Sequence, residues 1–163
     1  MNVQGVSNLY LDNLMKKISK CFRGTFSCDN IPIFKESNIA VISNLSREHD
    51  TGSHFIAIFI DQDKITYFDP FGIESYNILI EEYLKKYKKK IIYSKQRIQS
   101  YNSTHCGYFC VIFILYLENN VCLRKFVKLF QKEDLLINDY ICIELINNYI
   151  RHMYLRNKTL ISY

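Results

Sequence analysis

Cys106 stands where a polar segment of the chain changes into a long apolar one. Residues 99–105 are rich in polar and turn-forming types, and residues 108–117 are almost wholly apolar. This change predicts a loop that delivers Cys106 to the first turn of a buried helix. The unpaired N–H groups at a helix N-terminus carry a partial positive charge, which favours the nucleophilic thiolate. The same pattern also fits a cysteine that serves only as a small buried apolar residue.

A cysteine nucleophile needs a base that takes its proton, and the sequence contains four histidines. His54 opens a run that is apolar on both faces, so a central strand would hold its ring rigidly. His105 adjoins Cys106, and the side chains of adjacent residues point away from each other. We expect no role for His49, which lies in a charged loop, and a surface position for His152. His54 is therefore the predicted base.

The predicted hairpin after His54 supplies an acidic partner. If the strand 54–60 returns through a tight turn, His54 lies opposite Asp69, with the Cβ atoms roughly 5 Å apart. A carboxylate at that distance can hold an imidazole N–H. A two-residue shift of the turn would instead place Phe71 or Tyr67 opposite His54. Alternatively, His54 lies at the end of its strand and hydrogen-bonds to an aspartate in the turn for structural reasons alone.

Gln99 is the fourth candidate, because its amide could donate to an oxyanion beside the Cys106 backbone N–H. A lone glutamine in a loop is more often a surface residue. The four candidates occur in the order His, Asp, Gln, Cys along one chain, and such a combination is much less expected by chance than any one of them alone.

The remaining pattern predicts an α+β fold with a mostly antiparallel central sheet flanked by helices. Helices are predicted at 8–20 (with Ser7 as N-cap), 76–88, from 106, at 123–131 and at 138–154. Strands are predicted at 39–42, 54–60, 65–68 and 91–93, and residues 97–99 are a further candidate strand. Residues 22–38 are predicted to be irregular. No repeat or linker divides the chain, so one domain is expected over residues 1–163.

Composition narrows the class of protein further. The chain has 163 residues, 48% of them hydrophobic, and a net charge of +5, which suggests an acidic partner. No apolar run has membrane-spanning length and no secretory leader is visible at the N-terminus, so a soluble protein with no membrane partner and reduced thiols is expected.

The six cysteines lack framework spacing. Cys110, Cys122 and Cys142 are predicted to lie in the core, while Cys21 and Cys28 fit either core or surface. Cys106 and Cys110 are one helical turn apart, but no Cys/His pair follows at zinc spacing, so no metal site is expected.

Several motifs together resemble one family, the adenovirus maturation protease, which belongs to the clan of the SUMO-specific Ulp-type cysteine proteases. The resemblance covers roughly residues 8–118. The motifs that carry it are 52–57 (GSHFIA), 67–72 (YFDPFG), Gln99 and 102–110 (NSTHCGYFC), with weaker support from 22–26 and 40–44.

The resemblance implies an adenain/Ulp-like fold in which Cys106 is the nucleophile at the N-terminus of a buried helix. His54 would be the general base, Asp69 its orienting acid and Gln99 the oxyanion donor. It also implies a viral or virus-derived endopeptidase that matures capsid precursors at small residues, Gly in particular. Such an enzyme would act in the virion and inside the host cell, in the nucleus or a cytoplasmic virus factory.

Three features depart from the family pattern. Phe55 stands where the family typically has Trp, Asp69 where many relatives have Glu, and the chain is shorter after Cys106. We expect both substitutions to be tolerated.

The family enzyme is activated by a capsid-derived peptide, linked through a disulfide, and by viral DNA. No cysteine lies between Cys28 and Cys106, so a disulfide-linked peptide is not expected here, whereas non-covalent activation stays open. A basic run could hold DNA phosphates or could be a solvated helix face. It comprises Lys85, Lys86, Lys88, Lys89 and Lys90.

Two other functions remain open on the sequence. One is a SUMO- or ubiquitin-like isopeptidase of the same clan. The other is an inactive nucleic-acid-binding capsid component, although such a module has no need of Cys106. A monomer without metal or organic cofactor is expected.

Overall fold

The computed structural model describes residues 6–160, and the side chains of residues 6–155. Within this range the chain forms five helices and five strands. The helices are α1 (Asn8–Ile18), α2 (Ile78–Lys85), α3 (Cys106–Glu118), α4 (Leu123–Val127) and α5 (Ile137–Leu160). The strands are β1 (Phe22–Ser27), β2 (Ile39–Asn44), β3 (Phe55–Ile60), β4 (Lys64–Phe68) and β5 (Lys90–Tyr93).

The five strands form one sheet in chain order, β1-β2-β3-β4-β5. The three central strands are antiparallel, and each outer strand runs parallel to its neighbour. Parallel neighbours need long crossover connections, which residues 28–38 and the segment containing α2 provide. The predicted α+β fold is confirmed, but the antiparallel arrangement is limited to the three central strands.

The structure differs from the sequence-based prediction in several short elements. Residues 22–27, predicted to be irregular, form β1 beside β2, because pairing compensates for a polar sequence that contains Gly24. Residues 97–99 are not a strand, since the N–H groups of Ile98 and Gln99 both donate to the Pro70 carbonyl. The helix predicted at 123–131 ends at Val127, and α5 continues beyond its predicted end.

The side chains of β3 alternate between two cores. Phe55, Ala57 and Phe59 pack with α1, α3, α4 and α5 on one face, and the isoleucines of β3 pack with α2 on the other. All six residues of β3 are buried, as expected of a central strand.

Helix α3 is the central helix of the larger core. Its residues from Phe109 to Leu115 are all buried, so the helix is covered on every side. At its start, a Cβ on Gly107 would lie 2.5 Å from Cγ2 of Val6, so glycine permits the segment before α1 to approach the helix. Ser7 caps α1 by accepting the N–H of Tyr10, as predicted. Among the described residues, no helix combines the length and apolar character that crossing a membrane requires.

Phe113 joins α3 to the sheet, because its ring is fully buried and stacks on Phe68 with centroids 4.4 Å apart. We predict that Phe113→Ala lowers the free energy of unfolding by about 3–5 kcal/mol, since a large cavity forms. Urea denaturation measures this loss. Phe113→Leu keeps most of the side-chain volume and should lower the free energy of unfolding clearly less. Equal losses in the two variants would contradict this packing.

Candidate active site

Cys106 is the first residue of α3 and lies half-buried at the wall of a cleft of about 610 Å³. His54 and Gln99 line the same cleft, together with residues 6–8 and the rings of Phe71 and Tyr101. Three of the four predicted site residues therefore share one solvent-filled space. The fourth, Asp69, lies behind His54.

Asp69 follows the last residue of β4 and is 1% exposed. Its Oδ1 lies 2.8 Å from Nε2 of His54 and accepts the N–H of Phe71 at 2.8 Å. The buried Ser94 hydroxyl fixes the Asp69 backbone, accepting its N–H and donating to its carbonyl, both at 3.1 Å. A carboxylate held this firmly can orient an imidazole.

The predicted pairing register is wrong by two residues. Ala57 lies opposite Phe68 and Ile60 opposite Ile65, and this register continued places Phe71, not Asp69, opposite His54. A two-residue shift keeps every side chain on its face of the sheet, so Asp69 still reaches His54 diagonally. Phe71 instead stacks on the His54 ring, with centroids 4.6 Å apart and an interplanar angle of 18°.

The charge state of His54 is set by competing effects. Burial lowers the pKa of the imidazole, but hydrogen bonds to Asp69 and to Cys106 outweigh burial and raise the pKa to about 9. Since Nε2 faces Asp69, Nδ1 is the ring nitrogen left for the thiol. The ring is therefore protonated at neutral pH, is hydrogen-bonded to Asp69, and lies close enough to Cys106 for that residue to raise its pKa.

Gln99 is held in a loop that is tied to Asp69 through the main chain, because the N–H groups of Ile98 and Gln99 donate to the carbonyl of Pro70. The Gln99 side chain is 1% exposed, and Nε2 donates to the carbonyl of Ser103 at 3.0 Å and to its Oγ at 3.2 Å. The amide thus lies buried at the cleft wall rather than at the protein surface.

Sequence reasoning missed several supporting residues. The carboxamide of Asn44 accepts the N–H groups of Ser46 and Ser53 and so shapes the loop before His54. Its place at the end of a buried strand was a usable signal, because asparagine there often caps a turn. Ser94 and Asp139 carry no such signal.

The other histidines lie where the sequence predicts. His49 and His152 are exposed. Nδ1 of His105 lies 3.3 Å from Oδ2 of Asp139.

The cysteine predictions are mostly confirmed. Cys110 and Cys142 are buried, and burial raises the pKa of both thiols well above the usual value. Cys110 donates its S–H to the carbonyl of the buried Phe55. Cys21 and Cys28 are also buried. Among the described residues, no cluster of metal-ligating side chains is present.

Cys122, predicted to lie in the core, is exposed at the start of α4. The backbone N–H of Lys125 lowers the pKa of this thiol. The core prediction is wrong here because Cys122 precedes the helix instead of belonging to an apolar face.

The basic run does not form one helix face. Lys85 ends α2, Lys88 has a left-handed backbone with a φ of 51°, and Lys90 begins β5.

 The left-handed Lys88 separates the helix from the strand. Lys89 is half-buried and donates to the carbonyl of Asp61 at 2.6 Å. The other four lysines of the run are exposed around the end of α2 and the start of β5.

Residues 22–138 match the model of one protein family, described as adenovirus endoprotease. The chain belongs to the adenovirus endoprotease family. The matched range contains His54, Asp69, Gln99 and Cys106 and ends one residue before Asp139. A comparison with curated proteins finds no match.

Two solved structures resemble this member of the adenovirus endoprotease family. The ASFV pS273R protease is 19% identical over 64% of this chain, which covers 42% of that protein, with a TM-score of 0.49. The SUMO protease Ulp1 is 16% identical over 67% of this chain, which covers 53% of that protein, with a TM-score of 0.38. The chain thus spans about half the length of each.

The contact between Asp69 and His54 generates a titration prediction. Asp69→Asn removes the carboxylate charge, so the pKa of His54 should fall from about 9 by roughly 1–3 pH units. Imidazole NMR signals of His54 measure this pKa. Asp63→Asn, which removes an exposed carboxylate from the β3–β4 turn, should leave it unchanged. An unaltered His54 pKa in Asp69→Asn would contradict the assignment.

The same contact affects stability. Because the folded-state pKa of about 9 lies above the ordinary 6.5, protonated His54 stabilises the fold fully below pH 6.5. This contribution, on the order of 3 kcal/mol, is lost as the pH rises through about 9. The wild-type free energy of unfolding should fall across this window more steeply than that of Asp69→Asn.

Proposed function

We propose that this chain is a cysteine endopeptidase in which Cys106 is the nucleophile and His54 the general base. One observation carries the proposal: the His54 ring is hydrogen-bonded to the buried Asp69 and lines the same cleft as Cys106. Asp69 orients the ring, and Gln99 with the Cys106 backbone N–H forms the oxyanion hole. Membership of the adenovirus endoprotease family supports the same assignment.

The first half of the reaction forms an acyl-enzyme. The Cys106 proton already resides on His54, whose pKa is raised to about 9, and the thiolate sulfur attacks the scissile carbonyl carbon. The negative charge that develops on the carbonyl oxygen is stabilised by the oxyanion hole. Protonated His54 then gives its proton to the leaving amine as the C–N bond breaks, which leaves a thioester on Cys106.

The second half releases the product. His54, now neutral, takes a proton from water, and the resulting oxygen nucleophile attacks the thioester carbonyl. The C–S bond breaks, the acid product leaves, and the proton remains on His54 beside the Cys106 thiolate. Asp69 keeps the ring in one orientation through both halves, and its burial keeps water from competing for the imidazole N–H.

We infer that the substrates are capsid precursor proteins of the virus or mobile element that encodes the chain, cut at sites with small residues such as Gly. Phe71, Tyr101 and the segment 6–8 line the cleft together with Cys106, and their side chains limit the space beside the nucleophile, which supports a small residue there. The enzyme would act in the virion or the infected cell. All four proposed catalytic residues come from one chain, which is compatible with a monomer.

We further propose that DNA binds the basic run at the end of α2. Four exposed lysines concentrate positive charge there, and phosphate contacts of this kind need no defined pocket. We also propose that activation by a peptide takes place without a disulfide link, because the segment between Cys28 and Cys106 contains no cysteine.

The nucleophile assignment predicts the behaviour of Cys106→Ala. This variant should cleave capsid precursors from the same genome at least about a thousandfold more slowly than the wild type, because no other group forms the acyl-enzyme. Gel electrophoresis and mass spectrometry of the products measure cleavage. Cys110→Ala, which removes the other thiol at the start of α3, should retain most of the activity.

Two results would contradict this proposal in different ways. Cleavage by Cys106→Ala at the wild-type rate would remove Cys106 from the mechanism. Processing of ubiquitin-like precursors, with capsid precursors left intact, would keep the mechanism but replace the substrate class with that of an isopeptidase.

The basic run predicts a salt-dependent affinity for double-stranded DNA. Replacing its exposed members by Gln should weaken binding and reduce the slope of log K against log salt by up to about 0.9 per lost contact. The substitutions are Lys85→Gln, Lys86→Gln, Lys88→Gln and Lys90→Gln. Fluorescence anisotropy measures the slope.

A charge-matched control carries four substitutions elsewhere on the surface, namely Lys17→Gln, Lys20→Gln, Lys128→Gln and Lys132→Gln. Equal losses of affinity in the two variants would show that net charge, and not the basic run, binds DNA.

A further inference from the structure

The side chain of Gln99 is held by a single neighbouring residue. Its Nε2 donates to the carbonyl and to the hydroxyl oxygen of Ser103, and the residue is 1% exposed. Its Oε1 is buried and has no hydrogen-bond partner. The orientation of this amide therefore depends on Ser103 offering acceptors, and not a donor, to Gln99.

The Ser103 hydroxyl offers acceptors because its proton is directed elsewhere. Its O–H donates to Oδ1 of Asp139 at 2.8 Å, which leaves its lone pairs for Nε2 of Gln99 and for the backbone N–H of His105 at 3.1 Å. A serine hydroxyl has one donor. The Asp139 carboxylate thus sets the direction of the whole chain of hydrogen bonds.

Asp139 also reaches the residue before the nucleophile. Its Oδ2 lies 3.3 Å from Nδ1 of His105, which immediately precedes Cys106. The two carboxylate oxygens therefore contact the two segments that supply the proposed oxyanion donors, the Gln99 amide and the Cys106 backbone N–H.

The first turn of α5 is itself fixed against the Gln99 loop. The fully buried Asn138 donates to the carbonyl of Ile98 at 2.8 Å and to that of Gln131 at 2.9 Å. The main chain next to Gln99 and the carboxylate of Asp139 are thereby held at a constant separation. Asp139 lies outside the range matched by the family model, residues 22–138.

We propose that Asp139 is a positioning residue for the oxyanion hole, a role that rests on the proposed function. Asp139 accepts the hydrogen bond from the Ser103 O–H. The Ser103 hydroxyl oxygen is therefore an acceptor toward Gln99, and Nε2 of the amide, not Oε1, faces Ser103. The longer Nε2 contact, to Ser103 Oγ at 3.2 Å, is the one that Gln99 shares with the oxyanion. Without Asp139, the Ser103 O–H is free to donate to Oε1, and this bond competes with the contact from Nε2 to the Ser103 carbonyl, so the amide loses its single fixed orientation.

The test compares two reactions of Cys106. Peptide hydrolysis forms an oxyanion, whereas alkylation by iodoacetamide displaces iodide at a methylene carbon and forms none. Asp139→Ala should lower kcat about 10–100-fold with KM little changed, while the alkylation rate of Cys106 stays at the wild-type value. Asp139→Asn, which keeps an acceptor for Ser103, should recover part of the lost kcat and serves if Asp139→Ala does not fold.

Two controls separate this role from a general loss of structure. Asp134→Asn removes an exposed carboxylate shortly before α5 and should leave kcat unchanged. Ser103→Ala should reproduce the effect of Asp139→Ala, and combining the two should add little, since both act through one chain of hydrogen bonds.

An unchanged kcat in Asp139→Ala, or an equal loss of kcat and alkylation rate, would overturn the inference. Side-chain amide NMR signals of Gln99 provide a readout that needs no activity, because the predicted loss of one fixed amide orientation in Asp139→Ala shifts them. If Cys106→Ala retained activity, the proposed function would fail, and the Gln99 signals would still decide whether Asp139 positions the amide.

Discussion

The carboxylate of Asp69 is buried, because only 1% of the residue is exposed to solvent. A buried carboxylate is costly unless hydrogen bonds and a cation compensate it. Here the Phe71 N–H and the protonated His54 ring contact Oδ1, while Ser94 holds the Asp69 backbone. The same bonds that stabilise the carboxylate therefore fix the His54 ring. The position of the proposed base follows from the requirement to compensate a buried charge.

The other half of the site depends on α3 and the loop before it. A helix buried from Phe109 to Leu115 cannot shift without disturbing the larger core, so Cys106 at its first turn is rigidly placed. The Gln99 loop bonds to Pro70, beside Asp69, and to Asn138, beside Asp139. The base, the nucleophile and the proposed oxyanion donor are thus linked through hydrogen bonds and one packed core.

Much of this arrangement was predictable from the sequence, because local patterns report local structure. The apolar run after Cys106 predicted α3, and alternation along β3 and β4 put His54 and Asp69 on one face even though the assumed register was wrong. Strand β1 was missed because its pairing with β2, and not its own composition, creates it. The bond from Ser103 to Asp139 joins residues 36 positions apart, a contact that packing of α5 decides and no local pattern reveals.

The central claim is that His54 activates Cys106, and the labelling rate of individual cysteines tests it most directly. Peptide mapping after brief exposure of the folded protein to iodoacetamide at neutral pH gives these rates, with the exposed Cys122 as an internal reference. The account predicts that Cys106 reacts much faster than the buried Cys142, and that His54→Ala slows Cys106 at least about tenfold while Cys122 is unaffected. Labelling of Cys106 no faster than Cys142, or an equal rate at Cys106 with and without His54, would contradict it.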